Sequence, residues 1–437
     1  MEIAMQAKGI ERGQELLQGG QRFVPRPGWF ARLISPGFST ILKRLDKGFA
    51  KGRLTGHLPD GSTRILGGRA PGFDAEVELK DWRALLRLVT GGSIGWYQAY
   101  EAGEWDSPDL VQVFAIFADN ARELGALGRA KGAFRLAAKI AHAFNRNSRE
   151  GSLRNISAHY DLGNDFYEHW LGDLMSYSSA LFETSNKPFA RAQMMDELRV
   201  GQLKKMTSIA NRANPPHGGK VLEIGCGWGM QAMLMAGLQE VHVDAISLSD
   251  EQLEFARYKR DNSPQELFGE IAFRKQDYRD VRGQYDAIVS VEMVEALGRE
   301  YWPTFMDALE RNLKPGGRAA IQFISMADDL FDAYAKSADF IQAYIFPGGL
   351  LIRTNEFRKL AEARGLSWHD QTDFGLDYAE TLRFWREQFM QAVAEQRLPE
   401  GFDARFVALW EYYLGYCEGG FRAGTIDVHQ VTLVKEK

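Results

Sequence analysis

From residue 218 onward the chain alternates between short apolar runs and amphipathic stretches. This alternation restricts the fold more than any other feature. "KVLEI" (220–224) reads as a strand, "MQAMLMAGL" (230–238) as a helix and "VHVDAISLS" (241–249) as a second strand. "DEQLEFARYKRDN" (250–262) reads as a helix whose acidic first turn suits the helix dipole. "EIAFRKQD" and "YDAIVSVEM" are further strands, "YWPTFMDALERNL" is a helix stopped by "KPGG", and "RAAIQFIS" is the strand after it. Such a series predicts an α/β fold, a doubly wound, mostly parallel sheet with helices on both faces. "LSWHDQTDFG" and "TIDVHQVTLV" predict antiparallel strands at one edge.

In such a sheet ligands lie beyond the carboxyl ends of the strands, near the point where strand order reverses. The first strand–helix turn, "VLEIGCGWG" (221–229), places Gly225, Gly227 and Gly229 at every second position. Glycines let the backbone approach a ligand closely, and the following helix offers free N–H groups. The spacing lacks the G-x-G-x-x-G step of a dinucleotide fold and the Lys-Ser/Thr of a phosphate loop. "EIGCGWG" resembles the first motif of class I S-adenosylmethionine methyltransferases, which implies polar groups for a ribose at the next strand end, where Ser247, Ser249, Asp250 and Gln252 stand. After the third strand, the same resemblance implies Asp277 as acceptor for an adenine amino group and Tyr278 as a ring to stack on it. Polar clusters at three successive strand ends point to a bound nucleoside-like ligand.

A length of 437 residues suits two or three domains. With 45% hydrophobic and 25% charged residues the chain is an ordinary folded protein, and a net charge of −5 argues against nucleic-acid binding. Two cysteines, Cys226 and Cys417, exclude a disulfide framework or a cysteine-rich metal site, and no His/Asp/Cys cluster suggests a metal. Neither a signal peptide nor a membrane-spanning run is apparent, so a cytoplasmic protein is expected. Residues 1–125 predict a smaller α+β unit. It has strands in "GRLTGHLPDG" and "FDAEVEL", a helix in "LKDWRALLRLVTGG" closed by its glycines, and the aromatic stretch "GWYQAYEAGEWDSPDL". Residues 126–155 carry Arg129, Lys131, Arg135, Lys139, Arg146, Arg149 and Arg154, with Phe134, Ala137, Ile140, Ala141 and Phe144 at helical spacing. A basic amphipathic linker helix follows, fit either for packing on its own protein or for an anionic membrane surface.

Taken in order, the segments from 159 onward resemble the cyclopropane-fatty-acid synthase family, which includes the mycolic acid cyclopropane synthases and related fatty-acyl methyltransferases. The segments are "HYDLGNDFYEHWLGDLMSYSSALFE" (159–183), "VLEIGCGWG", "ISLSDEQ", "QDYRD", "VSVEMVEALG" (289–298), "FIQAYIFPGG" (340–349), "TDFGLDYAETLRFW" (372–385) and "GGFRAGTIDVHQV" (419–431). The resemblance implies the class I methyltransferase fold, a Rossmann-like, seven-stranded, mostly parallel sheet over 156–437. It also implies an accessory lipid-handling domain at 1–125. The implied cofactor is S-adenosylmethionine (SAM), held by Tyr177, Ser178, Glu223, Gly225, Gly227, Gly229, Ser247, Leu248, Gln252, Asp277 and Tyr278. The implied reaction adds a carbon to the double bond of an unsaturated acyl chain of a phospholipid. The alkene attacks the SAM methyl, a carbocation forms, and a base removes a proton.

In this family the base is a bound bicarbonate held by a Glu, a His, a Tyr and backbone amides near a Cys and an Ile. The matching positions are Glu295, Gln322 in place of the His, Tyr378, Ser179 in place of the Cys, and Ile324. The usual "FEH" is "VEA" here. Gln322 donates a hydrogen bond but cannot become cationic. These departures favour methyl transfer over ring closure and raise a methyl- or methylene-branched product as an alternative. Phe166, Trp170, Tyr344 and Phe346 are candidate acyl-tunnel residues, and His159 reads as structural. The resemblance also implies peripheral contact with the inner face of a membrane, and allows a homodimer and a partner oxidoreductase. Two other functions remain from the residues alone: a SAM methyltransferase of a small molecule, and a lipid-binding protein that has lost the chemistry.

Overall fold

A computed structural model describes residues 12–19, 35–125, 162–182, 193–263 and 270–437. The predicted basic helix at 126–155 and His159 lie outside the described residues. Among those described, no helix is long and apolar enough to cross a membrane. The chain forms two compact units.

The larger unit comprises residues 146–328, 348–399 and 427–437. Its strands are β5 (Lys220–Ile224), β6 (His242–Ser247), β7 (Ile271–Lys275), β8 (Tyr285–Val291), β9 (Leu313–Met326), β10 (Leu366–Asp373) and β11 (Ile426–Lys435). Their order is β10-β11-β9-β8-β5-β6-β7, parallel from β9 through β7, with β10 and β11 antiparallel at the edge. This is the predicted sheet. The largest difference is in β9, which begins at Leu313 rather than at Arg318 and so takes in the "KPGG" expected to stop the helix before it. The central strands are mostly apolar because both faces are covered. Val221, Leu222, Ala287, Ile288, Val289 and Ile321 have no accessible surface. On one face, Ile209, Ala210 and Ala213 of the Met194–Ala213 helix join Ala232, Met233 and Ala236 of the Met230–Gln239 helix over Val221, Val243 and Val289. On the other, Phe305 and Phe357 pack on one another, and Phe357 packs on Phe323 of β9. The chain runs outward from β5 to β6 and β7, then returns to β8 on the other side of β5. That reversal opens the carboxyl ends of β5 and β8 to a ligand.

The smaller unit comprises residues 1–145, 329–347 and 400–426. The expected boundary at 125, with everything from 156 in one domain, therefore needs correction, and the reason is aromatic packing. Tyr412 of the Ala404–Arg422 helix contacts Phe114, Tyr97 and Phe340. Gly419 lets this helix approach the Leu110–Asp119 helix so closely that a methyl there would lie 2.6 Å from Phe114 Cβ. The unit's sheet, β2-β1-β3-β4, contains β1 (Arg53–His57), β2 (Thr63–Gly67), β3 (Asp74–Leu79) and β4 (Trp105–Asp106). The glycines of "LVTGG" do not close the third helix. The geometry breaks at Gly92 (φ +61°), and helix resumes through Glu101. The aromatics of "GWYQAY" supply packing: Trp96 stacks on Trp105 at 4.2 Å, and Tyr97 meets Tyr344 at 4.5 Å.

Candidate active site

The turn after β5 is bound to its neighbours through backbone. Gly225 and Cys226 donate their N–H groups to Ile246 O of β6 at 2.9 and 3.0 Å. Gly225 has φ +82°, and a Cβ there would lie 2.7 Å from Met293 Cγ. It is required both by its conformation and by the turn after β8 that presses on it. Gly227 (φ +51°) faces open space, the nearest atom to an added Cβ being Gln252 Nε2 at 4.0 Å. Gly229 packs on Ala256 and Phe273. Trp228 donates its indole N–H to Asn164 Oδ1 at 2.7 Å and meets Tyr167 at 5.1 Å, tying the turn to the Asn164–Leu171 helix.

At the end of β6, Ser247 Oγ donates to Gln252 Oε1 at 3.2 Å, and Ser249 caps the following helix. Leu248 is half-buried beside them. Asp277 is engaged by its own turn, accepting from Arg279 N–H and pairing with the Arg279 guanidinium. Tyr278 is buried edge-on against Phe305 at 5.8 Å. Glu223, at the end of β5, accepts from Ala232 N–H, while its Oε2 is buried without a partner. An unfilled acceptor beside an open glycine turn, with hydroxyl and amide groups at the next strand end, fits the amino-acid and ribose parts of SAM.

The most closely knit polar group centres on a residue that sequence reasoning passed over, Glu292. It follows β8 directly and takes φ +48°, a left-handed conformation costly for any side chain but glycine. Its Oε1 accepts from Ser179 N–H at 2.9 Å and from Gln322 Nε2 at 2.7 Å, and its Oε2 from the Tyr378 hydroxyl at 2.7 Å. Three residues expected around Glu295 therefore converge on Glu292 instead. Glu295 accepts from Ile324 N–H, and its other oxygen is buried without a partner. The structure thus joins Glu295 with Ile324, and separately joins Ser179, Gln322 and Tyr378. Ser179 uses its backbone N–H, and its hydroxyl turns to Ala180 O at 2.8 Å.

Lys205 is a second residue missed from sequence. Buried at 2% exposure, it donates to Ser176 Oγ at 2.9 Å and to Ser178 Oγ at 2.6 Å, so the Ser178 hydroxyl is already engaged. Gln202, one turn before, donates to Ser178 O at 2.8 Å. The available signal was a Lys and a Gln on the apolar stripe Leu198, Met206, Ile209 of one helix. For Glu292 it was a second glutamate three residues before Glu295, at the end of an apolar strand. Burial pushes Lys205 down to about 8, against the pull of Glu292 and Glu223. Burial pushes Glu223 up to about 8, Lys205 opposing. Glu295 also rises to about 8, through burial and then the neighbouring Glu292. Burial raises Glu292 too, resisted by its three donors and by Lys205.

An aromatic wall stands beside this network. Tyr177 contacts Tyr167, Trp170 and Trp385 at 5.8, 5.6 and 5.4 Å, and Tyr378 contacts Trp385 at 6.1 Å. Phe166 and Trp170 belong to this wall and are fully buried. Tyr344 and Phe346 pack within the smaller unit, against Tyr97 and Tyr413, whereas Phe166 and Trp170 belong to the larger one. One grouping not visible in the sequence is Asp373, Asp427 and His429. Both ring nitrogens of His429 are already hydrogen-bonded, to Asp373 and Ser325, each at 2.6 Å.

The chain is 38% identical over 354 residues to the tuberculostearic acid methyltransferase UfaA1 of Mycobacterium tuberculosis, covering 80% of this chain and 81% of that one. It is 31% identical over 382 residues to the cyclopropane-fatty-acyl-phospholipid synthase of Escherichia coli K12, covering 87% and 92%. The crystal structure of mycolic acid cyclopropane synthase CmaA1 complexed with SAH and CTAB superposes with a TM-score of 0.57 at 26% identity, covering 65% of this chain and 98% of that one. These likenesses establish an S-adenosylmethionine-dependent methyltransferase. With a family model described as mycolic acid cyclopropane synthetase matching residues 147–431, the chain belongs to that family.

Proposed function

We propose that the protein transfers the methyl group of SAM to the double bond of an unsaturated phospholipid acyl chain. In this reading the Glu292 carboxylate, not a bound bicarbonate, accepts the proton released, and the product is branched rather than cyclic. One observation carries it: Glu292 holds the Tyr378 hydroxyl, the Ser179 N–H and the Gln322 amide. These are the donors that the family resemblance assigns to bicarbonate.

SAM supplies an electrophilic methyl group when bound, and Glu223, Gly225, Gly227, Ser247 and Gln252 would hold it. The alkene π electrons would form the new C–C bond to that methyl as its bond to sulfur breaks, the electron pair staying on the sulfur, and a cation would remain on the neighbouring acyl carbon. The faces of Tyr177, Trp170 and Trp385 favour such a charge and exclude water that would trap it. Burial raises the pKa of Glu292 and three donors oppose that rise, favouring the ionised form that would take a proton while the C–H electrons form a new double bond. A saturated branch then requires a hydride from a partner oxidoreductase and a proton, one added to each carbon of that double bond. Two observations support branching: Glu292 engages the donors that the family resemblance assigns to bicarbonate, and identity is higher to a relative named a methyltransferase than to one named a cyclopropane synthase. The name of the second relative supports a phospholipid substrate, and the basic residues 129–154 support contact with an anionic membrane surface.

The test is incubation with methyl-deuterated SAM and vesicles of mono-unsaturated phospholipid. Label in a methyl or methylene branch, seen by mass spectrometry and NMR of the acyl chains, is the expected result. Label in a cyclopropane would restore ring closure, and label only in soluble acceptors would move the function to small molecules.

A further inference from the structure

The amide that supports Glu292 is itself held. Gln322 Oε1 accepts from Gln430 Nε2 at 2.9 Å, and the same nitrogen lies 3.5 Å from Lys205 O. On its other side Gln430 Oε1 accepts from Ser208 Oγ at 2.6 Å and from Arg212 Nε at 3.2 Å. Gln322 and Gln430 are fully buried, whereas Arg212 reaches the surface and is anchored by Thr372 Oγ1 at 2.9 Å and by Asp370 O.

An amide side chain can turn over and exchange its oxygen with its NH2. Here groups of fixed polarity forbid the exchange. A guanidinium has only donors, so the Gln430 atom beside Arg212 is oxygen. The Lys205 carbonyl has only lone pairs, so the Gln430 atom beside it is the NH2. The Gln322 atom facing that NH2 is then oxygen, which turns the Gln322 NH2 toward Glu292.

We propose that Arg212 and Gln430 are positioning residues for methyl transfer, locking Gln322 so that it always presents a donor to Glu292. The proposal rests on the reading of Glu292 as the base. The other groups facing Glu292 are Tyr378 and Lys205, which favour its ionised form, and Glu295, which opposes it. A glutamate at 430 would still accept from Ser208 and Arg212 but would offer Gln322 an acceptor. Gln322 would turn over, and its oxygen would face Glu292.

The experiment is a double-mutant cycle in the full chain: parent, Gln430→Glu, Gln322→Met and both, each read by the pH profile of methyl transfer to mono-unsaturated phospholipid vesicles. Glu292 must be ionised to act, so losing a donor moves the acid limb to higher pH. In Gln430→Glu the limb rises by about one pH unit. In the Gln322→Met background, Gln430→Glu adds no shift. An unshifted limb, or equal shifts in both backgrounds, overturns the proposal, since equal shifts mean that the added charge acts directly. Gln430→Leu, which adds no charge, moves the limb the same way by a smaller amount, and decides the matter if Gln430→Glu does not fold. An infrared titration of the Glu292 carboxyl, read as a difference against Glu292→Gln, follows the same shifts without substrate. A parent that methylates no acyl chain would sink the proposed function and leave this titration to decide the positioning role.

Discussion

Replacing Glu292 by glutamine separates chemistry from structure. Ser179 and Gln322 both donate to Oε1 and Tyr378 donates to Oε2. A glutamine keeps one oxygen for the first two, and the Tyr378 hydroxyl can rotate to accept from the new NH2. Three charge-assisted bonds become neutral, a loss of about 1 kcal/mol each. Against this, the cost of burying a carboxylate, about several kcal/mol, disappears. The two nearly offset, so the fold and SAM affinity survive. The base does not survive, and its loss slows the reaction by roughly 10²–10⁴-fold, or about 3–5.5 kcal/mol. The assay is single-turnover transfer of labelled methyl to phospholipid at saturating SAM, with SAM affinity measured by calorimetry. A rate within about tenfold of the parent's would refute Glu292 as the base. A collapse of SAM binding would show that Glu292 acts on the cofactor site instead.

Glu292→Gly should accept rescue, because glycine adopts φ +48° freely and three donors are left around an emptied space. Added bicarbonate or formate should restore about tenfold of the lost rate. No rescue would mean that the carboxylate does not stand in an anion site. For Glu295 the folded-state pKa lies near 8, above its ordinary 4.5, so the folded protein holds a proton that the unfolded chain releases in between. Its contribution to stability is full below about pH 4.5 and is lost as pH rises toward 8, and Glu223 acts in the same direction. The thermal midpoint should fall from about pH 5 to 8, less steeply in Glu295→Gln, and an unchanged slope in that variant would contradict the assignment. Gly225→Ala places a methyl 2.7 Å from Met293 Cγ at φ +82°, which should weaken SAM binding about tenfold. Parent-like affinity by calorimetry would show that the turn yields.

The sheet was legible because its strands are buried on both faces and so read as apolar runs, with glycine and proline punctuation between them. The glycine turn was legible for the same reason. The domain boundaries were not, because residues 329–347 and 400–426 join the smaller unit through side-chain packing that leaves no composition shift at the joins. Ser179, Gln322 and Tyr378 were found through motif resemblance, since no local pattern links positions so far apart. Glu292 escaped because resemblance directs attention to positions that match a pattern, and its role depends on a left-handed backbone turn that sequence does not display. Gln430 and Lys205 escaped because buried polar residues in apolar stretches declare no partner until the fold brings one.

The most direct measurement is the rate of methyl transfer by the parent protein in buffer stripped of carbon dioxide, followed by titration with bicarbonate. A carboxylate supplied by Glu292 predicts an undiminished rate without bicarbonate and no response to its addition. A rate that collapses on stripping and returns along a saturable bicarbonate curve would contradict this account, returning the base to a bound anion and Glu292 to a structural part.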